Sequence, residues 1–238
     1  MIETPILNFG VIAPALALVI AAVIVLLGDL LLPRSQKQVL AYVAMLGIVA
    51  AFVATMLLWS ATEPAFLGTD GMAVADGYAL FFNYVFLTAA GLAVLISVDY
   101  AHRQELAQGE YYALLLLSTA GMSVMAAATD LMVLFVGLEV VSIPLYVLAG
   151  LKRGQDESNE SGLKYLLLGA FASAFLLYGI ALTYGVSGST APSTRASLAD
   201  VSMLIGPRLR SGEASSACRR ASAWMRARTS SKAKGLTR

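Results

Sequence analysis

Residues 131–153, LMVLFVGLEVVSIPLYVLAGLKR, contain one carboxylate, Glu139, in a run that is otherwise apolar or small as far as Lys152. The run is about as long as the roughly 20 residues of helix that cross a bilayer core about 30 Å thick. The only polar neighbour that this segment offers the acid is Ser142. The stretch therefore predicts a membrane-spanning helix, and the reason for its acid has to be sought in the rest of the chain.

The composition defines the class of protein. Of the 238 residues, 58% are hydrophobic and 13% are charged, whereas a soluble domain has about 25% charged residues. A net charge of +1 does not indicate a nucleic-acid partner. The single cysteine, Cys218, excludes a disulfide framework and a cysteine-ligated metal site, and the single histidine, His102, argues against a histidine-rich metal or haem site. The composition predicts an all-α integral membrane protein.

Six stretches are long and apolar enough to span a bilayer, and they lie at about 7–31, 38–60, 78–98, 111–129, 131–151 and 162–185. The first, third and fifth connections contain all the basic loop residues, which are Arg34, Lys37, Arg103, Lys152 and Arg153. The positive-inside rule then places these loops in the cytoplasm and the N-terminus outside. Acids near the ends of spans are expected to be solvated, namely Asp29, Asp76, Asp99 and Asp130.

The composition changes at about residue 190. Residues 1–189 form the predicted polytopic domain, whereas residues 190–238 are rich in Ser, Ala and Arg and contain no apolar run of spanning length. Two interpretations of this tail compete. It is either a basic interfacial segment centred on Trp224 or the product of translation out of frame, and its composition favours the second. We therefore exclude it from the fold prediction.

Glu139 lies within about two residues of the middle of the fifth span, roughly 3 Å from the midplane at 1.5 Å per residue. An ionised side chain at that depth costs about 2.5–3.5 kcal/mol on insertion scales, so such a residue pairs with a cation or takes up a proton. Both states suit a proton relay. The alternative is a neutral acid that only forms a structural hydrogen bond. Pro144, five residues later, removes one backbone hydrogen bond and predicts a bend near the acid.

Lys164 is the second candidate for a proton relay. Glu160 precedes it by four residues, a spacing that stabilises an exposed helix by about 0.2–0.5 kcal/mol. The lysine could also extend to water at the end of the sixth span. The sequence leaves its relay role and its structural role equally open. The small residues that follow, Gly169, Ala170, Ala172, Ser173 and Ala174, favour close packing between helices.

These residues carry a resemblance to a known family. LFVGLEVVSIPLYVLAGLKR at 134–153, SNESGLKY at 158–165 and LLLGAFASAFLLYGIALTYG at 166–185 resemble subunit N of the proton-pumping NADH-quinone oxidoreductase, respiratory complex I, whose mitochondrial counterpart is NADH dehydrogenase subunit 2. The similarity covers about residues 1–189 and is strongest from residue 110 onward. The sister subunits L and M and the multisubunit sodium/proton antiporters share the glutamate-bearing helix but differ over the next one.

The resemblance implies an antiporter-like fold of inverted repeats, of which this chain holds the N-terminal part. It implies that Glu139 matches the conserved glutamate of the fifth helix, whose lysine partner lies on the seventh, and that Lys164 matches a lysine at the start of the sixth. The later lysines of the family have no counterpart here, so we do not expect a chain ending as printed to pump protons.

Three hypotheses follow. The first is a complex I membrane subunit that binds no cofactor itself, with NADH, flavin, iron–sulfur clusters and quinone in partner subunits of the cell inner membrane. The second is a subunit of a cation/proton antiporter without an electron-transfer partner. The third is a membrane stub without chemistry. The LKYLLLGAFAS segment at 163–173 favours the first.

Overall fold

The computed structural model describes residues 10–33, 37–60, 72–103, 108–152 and 154–190, and the side chains of 99–103 and 108 are left aside. Within these ranges the chain forms six helices, α1 (Ala13–Leu31), α2 (Val39–Ser60), α3 (Gly77–Arg103), α4 (Gln108–Ala127), α5 (Leu131–Ala149) and α6 (Asp156–Ser187). Each is long and apolar enough to cross a membrane. The prediction of an all-α membrane protein with six spans is confirmed. Residues 7–9 of the first predicted span, and the predicted tail beyond Thr190, lie outside the described residues.

The helix bounds differ from the prediction mainly at α6. This helix begins at Asp156 rather than at residue 162, with Asp156 and Glu157 in its first turn. Acidic side chains are favoured there because the helix dipole is positive at its N-terminus. The apolar run identified only the part of α6 that spans the membrane. The predicted span at 111–129 instead ends at Ala127, because Ala128 pairs with Ala73 in an isolated antiparallel bridge.

Successive helices run antiparallel, so the bundle has two ends. At the Asp130 end α1, α3 and α5 begin, and there the bridge joins Val74 N to Ala127 O at 2.8 Å. At the Lys37 end α2, α4 and α6 begin, and there Lys37 Nζ forms an ion pair with Asp29 Oδ1 at 2.7 Å. Each contact joins the start of one helix to the end of another.

Helices α1 to α4 share one core that is built largely from small residues. Ala22, Ala44 and Ala51 are completely buried, and at Gly47 of α2 an added Cβ atom would overlap the Cβ of Ala21 on α1. Small side chains allow the backbones of membrane helices to approach closely, where dispersion contacts hold them together. Larger residues fill the space between, chiefly Leu18, Val25, Leu40, Leu87, Leu116 and Tyr112.

Helix α5 joins this core through α4, and α6 packs mainly against α5. A Cβ atom at Gly121 of α4 would lie 2.7 Å from the backbone nitrogen of Val141, and one at Gly137 of α5 would lie 3.1 Å from that of Met125. The two helices therefore cross with their backbones nearly in contact. The order of packing places α5, and with it Glu139, between the four-helix core and α6.

The expectation that the acids near the helix ends are solvated is wrong for two of them. Asp130 is only 8% exposed, because its carboxylate caps α5 and binds Thr190, which follows α6. Asp29 is partly buried in its ion pair with Lys37 and lies against Gly109 of α4. Asp76 is exposed, as expected, and its Oδ1 accepts a hydrogen bond from Ala79 N in the first turn of α3. The side chains of Asp99 and His102 lie outside the described residues.

Candidate functional site

Glu139 lies one residue from the middle of α5 and faces α6. Its Oε1 accepts a hydrogen bond from Ser173 Oγ of α6 at 2.5 Å. Ser142, its only polar neighbour in the 131–153 segment, donates instead to Leu138 O within α5 at 2.7 Å. The acid is therefore partnered by a residue 34 positions away in sequence and not by the serine beside it.

The face that α6 turns toward α5 consists mainly of small and hydroxyl-bearing residues at helical spacing, with Leu176 and Ile180 as its large apolar members. Its less exposed positions are Ser158, Gly162, Gly169, Ser173, Leu176, Ile180, Thr183 and Ser187. An added Cβ atom at Gly162 would lie 3.0 Å from the Cα of Gly150, the residue that follows α5. We call this contact surface the α5–α6 seam. Its small residues bring the two helices close enough for the short Ser173 side chain to reach Glu139.

Polar contacts anchor both ends of the seam. At the Asp130 end, Asp130 Oδ1 accepts from Met132 N at 2.7 Å and Oδ2 accepts from Thr190 Oγ1 at 2.5 Å, while Leu131 N donates to Thr190 O at 3.0 Å. At the Lys37 end, Ser158 Oγ donates to Ala149 O at 3.2 Å. These bonds restrict sliding of α6 along α5, which would carry Ser173 away from the acid.

Tyr146 occupies the same face of α5 as Glu139, two turns further toward the Lys37 end. Its ring stacks edge-to-face on Tyr165 of α6, with the centroids 4.9 Å apart and an interplanar angle of 87°. A Cβ atom at Gly169 would overlap the hydroxyl end of this ring. Gly169 is thus needed for the close approach to Tyr146, whereas the sequence indicates for it only a general role in helix packing.

Pro144 is buried within α5, and the helix continues through it to Ala149. The helix tolerates the proline because neighbouring helices cover this segment, as is common in membrane helices. The bend that the sequence predicts near Glu139 stays a prediction.

Lys164 does not meet Glu139 among the described residues. It lies in the third turn of α6, and its Nζ forms an ion pair with Glu160, as their spacing predicts. The two side chains are 73% and 62% exposed. Lys164 and Ser173 are nine positions apart on α6, which corresponds to roughly 13.5 Å along the helix axis at 1.5 Å per residue.

The pairing of Glu139 with a hydroxyl suits either protonation state of the acid. A serine hydroxyl both donates and accepts, whereas a carboxylate only accepts and a carboxylic acid can donate. Ser173 can therefore donate to the charged acid or accept from the neutral one without a change of partner. Within the described residues no group of three or more His, Cys, Asp or Glu side chains could hold a metal ion. The arrangement fits proton binding and release at one acid.

From the sequence, Ser173 is recognisable only as a small residue that favours helix packing. Its position on the sparsely exposed stripe of α6 could have marked it as facing a neighbour, but nothing in the sequence indicates that the neighbour is Glu139. The register between α5 and α6 decides that contact.

With this geometry, the fold is that of an antiporter-like membrane subunit. Residues 128–206 match the family model described as NADH:quinone oxidoreductase/Mrp antiporter, transmembrane. The matched segment contains α5, α6 and Glu139. Over this segment the chain is similar to the members of this family.

Within the family its resemblance is to subunit N. It is 48% identical over 192 residues to the NADH-quinone oxidoreductase subunit N of Trichlorobacter lovleyi, covering 81% of this chain and 39% of that protein. The subunit N of Dehalococcoides mccartyi is 45% identical over 177 residues, covering 74% and 36%. The chain therefore spans less than half the length of the curated relatives that it matches.

Two solved structures share the fold. A chain of respiratory complex I from Thermus thermophilus matches with a TM-score of 0.59 and 31% identity, over 75% of this chain and 38% of that chain. The membrane-bound sulfane sulfur reductase, an archaeal respiratory complex, matches with a TM-score of 0.61 at 21% identity. The second similarity concerns the fold alone.

Proposed function

We propose that this chain acts as a membrane-arm subunit of NADH-quinone oxidoreductase, in which Glu139 is a proton-relay acid. The observation that carries the proposal is the placement of Glu139 at mid-helix, hydrogen-bonded across the seam to Ser173. An ionisable residue at membrane depth is costly and marks proton or ion pathways. The names of the relatives and the family match support the electron-transfer setting.

In this proposal the redox chemistry takes place in partner subunits. NADH, flavin, iron–sulfur clusters and quinone bind there, while this chain contacts lipid and the other membrane subunits in the cell inner membrane, with its N-terminus outside. A change of charge at quinone alters the electrostatic potential at Glu139. Because the effective dielectric constant within a protein is low, such a change can shift the balance between the charged and the neutral acid.

Lys164 has a secondary place in the proposal. Its exposed position on α6 leaves room for an acidic or polar partner from another subunit. Lys164 could exchange its present partner, Glu160, for such a group. We therefore assign the relay primarily to Glu139 and regard Lys164 as a further relay group at the Lys37 end.

The decisive experiment replaces Glu139 by Gln in the gene as it occurs, in a cell whose complex I contains this subunit. We expect lower NADH:quinone turnover or fewer protons moved per electron in inverted membrane vesicles, because an amide cannot take up the proton. Glu157→Gln, an exposed acid in the first turn of α6, is the matched control and should behave as the unaltered protein. Unchanged turnover and stoichiometry in Glu139→Gln would refute the role.

The family match also admits a cation/proton antiporter subunit, for which the same acid would serve. The two functions differ in their energy source. If vesicle acidification follows NADH oxidation and stops with a quinone-site inhibitor, the oxidoreductase role holds. Sodium-driven proton exchange that persists without NADH would instead assign the chain to an antiporter, and absence of both activities would leave a structural membrane segment.

A further inference from the structure

A small cavity lies at the Asp130 end of the bundle, apart from Glu139 and Ser173. Its volume is about 60 Å³, and its wall is formed by the start of α1, by α3, α4 and the start of α5. Most of the wall is apolar, for example at Val11, Ala127 and Val133, and Asn83 and Ser123 are its polar members. No charged residue lines it.

The two polar side chains in this wall are buried and lack partners. Asn83 is 4% exposed and Ser123 is 3% exposed, and within the described part of the chain neither Asn83 Oδ1 nor Ser123 Oγ has a hydrogen-bond partner. The other buried hydroxyls of α4 differ, since Ser118 and Thr119 both donate to Leu115 O. A buried polar atom without a hydrogen bond costs about 1–3 kcal/mol, so a ligand that bonds both atoms would remove a substantial penalty.

The geometry points to water as that ligand: we propose that the cavity binds water that hydrogen-bonds to both Asn83 Oδ1 and Ser123 Oγ. By the same measure of volume a buried water needs at least about 10–15 Å³, so the cavity has room for more than one. A bound cation fits less well, because a charge at this depth without a carboxylate or another counter-charge is costly. A neutral ligand with donor and acceptor capacity meets both requirements.

Two backbone hydrogen bonds lie between the cavity and the end of the bundle. Val74 N donates to Ala127 O at 2.8 Å and Thr129 N donates to Met72 O at 3.0 Å, and both Ala73 and Ala127 belong to the wall. Asn83 lies six residues into α3 and Ser123 four residues before the end of α4. At 1.5 Å per residue the polar atoms are roughly 6–9 Å below the helix ends. The water would thus be an internal part of the bundle.

Radiolytic hydroxyl-radical labelling of the full chain in lipid nanodiscs tests this inference, because radicals formed from bound water label the side chains beside it. After equilibration in ¹⁸O water, we expect ¹⁸O in peptides containing Val124 and Val133. Asn83→Leu combined with Ser123→Ala should reduce this labelling severalfold, since no polar atom would hold the water. Ser118→Ala is the matched control, because that hydroxyl is already bonded to its own helix, and its labelling should not change.

Each outcome decides the matter. Labelling of the Val124 and Val133 peptides no stronger than that of α1–α2 core peptides would overturn the proposal, as would equal labelling in the double variant. If the double variant does not fold, Ser123→Ala alone, which removes one hydroxyl from a small residue, should still lower the signal. Labelling that falls when sodium is added would indicate a cation in place of water. None of these results depends on the role of Glu139.

Discussion

Helices α1–α4 and the α5–α6 pair are held together in different ways. In the spanning segment of α4, 50% of the residues are buried, and in those of α5 and α6 the values are 11% and 6%. In the four-helix core, alanines and large apolar residues pack against one another on several faces of the helices. The pair meets along one seam that consists mainly of glycines, serines and a threonine, with polar anchors at its ends.

This difference teaches which contacts matter in each region. In the core, many weak dispersion contacts together stabilise the packing, so no single polar residue determines how the four helices are arranged. In the α5–α6 pair, a few residues set the distance and register that bring Ser173 to Glu139. The remaining faces of α6 carry exposed apolar side chains, such as Leu168, Phe171 and Phe175, which suit lipid or further membrane helices.

The largest effect is expected from Gly121→Ala, which breaks the link between the two regions. Its Cβ atom would meet the backbone of α5, at Val141 N and at the carbonyl carbon of Val140, which lies 2.9 Å away, and backbone cannot move aside as a side chain can. We expect a loss of unfolding free energy at the upper end of the roughly 1–3 kcal/mol that overpacking costs. Denaturant unfolding in detergent micelles measures it.

Gly179→Ala is the control for that experiment, since nothing lies within 4 Å of a Cβ atom there. It should leave stability unchanged or slightly raised. Equal effects at Gly121 and Gly179 would contradict the close crossing of α4 and α5.

The second prediction compares the two ion pairs. Lys37→Met leaves Asp29 partly buried and unpaired, with side-chain exposures of 23% for Lys37 and 21% for Asp29, so we expect a loss of about 2 kcal/mol, between the values for exposed and buried pairs. Lys164→Met removes a mostly exposed partner and should cost no more than a few tenths of a kcal/mol. Thermal unfolding of both variants at low and high salt gives the comparison. A larger loss at Lys164 would mean that its surroundings differ from the structure.

The third prediction concerns the anchor of the seam. Asp130→Ala removes an N-cap, which costs about 1 kcal/mol, together with the bond to Thr190, whereas Asp76→Ala removes only the cap of α3. Asp130→Ala should therefore destabilise the protein by about 1 kcal/mol more, the value of one hydrogen bond. Hydrogen exchange at the end of α6 should also rise in Asp130→Ala alone. If both variants lose the same stability and exchange alike, Thr190 is not held by Asp130.

The smallest effect on stability is expected at Ser173, where the readout is the state of Glu139. Ser173→Ala removes the hydroxyl donor and leaves Glu139 Oε1 without its hydrogen-bond partner on α6. Hydrogen bonds between membrane helices average about 0.6 kcal/mol, and loss of this one should raise the rate at which a hydrophobic carbodiimide modifies the carboxyl group of Glu139 about threefold. Ser142→Ala, whose hydroxyl bonds its own helix, should leave the rate unchanged, and Ser173→Thr should restore it. If the modification rate changes in Ser142→Ala and not in Ser173→Ala, the partner of Glu139 is a residue of α5 and not of α6.

Much of the architecture could be predicted from local sequence. Spans of sufficient apolar length have to form helices, because the backbone has no other partner in a hydrocarbon interior. This requirement accounts for the six helices, for the Glu160–Lys164 pair within one helix and for the choice of Glu139 as the unusual residue. The start of α6 at Asp156 escaped the prediction, because its first turns are polar and extend beyond the apolar run.

Contacts between helices could not be predicted in the same way. Asp130 and Asp29 were expected to be solvated, and only the packing of their neighbours buries them and supplies Thr190 and Lys37 as partners. Ser173 likewise became the partner of Glu139 through the register of two helices whose small residues tolerate more than one alignment. Apolar length is a property of each segment and is read along the chain, whereas hydrogen bonds across a seam depend on distances of a few tenths of an ångström between segments. The amino-acid sequence by itself thus determined the helices and the position of Glu139, whereas tertiary packing determined that Ser173 is the partner of Glu139.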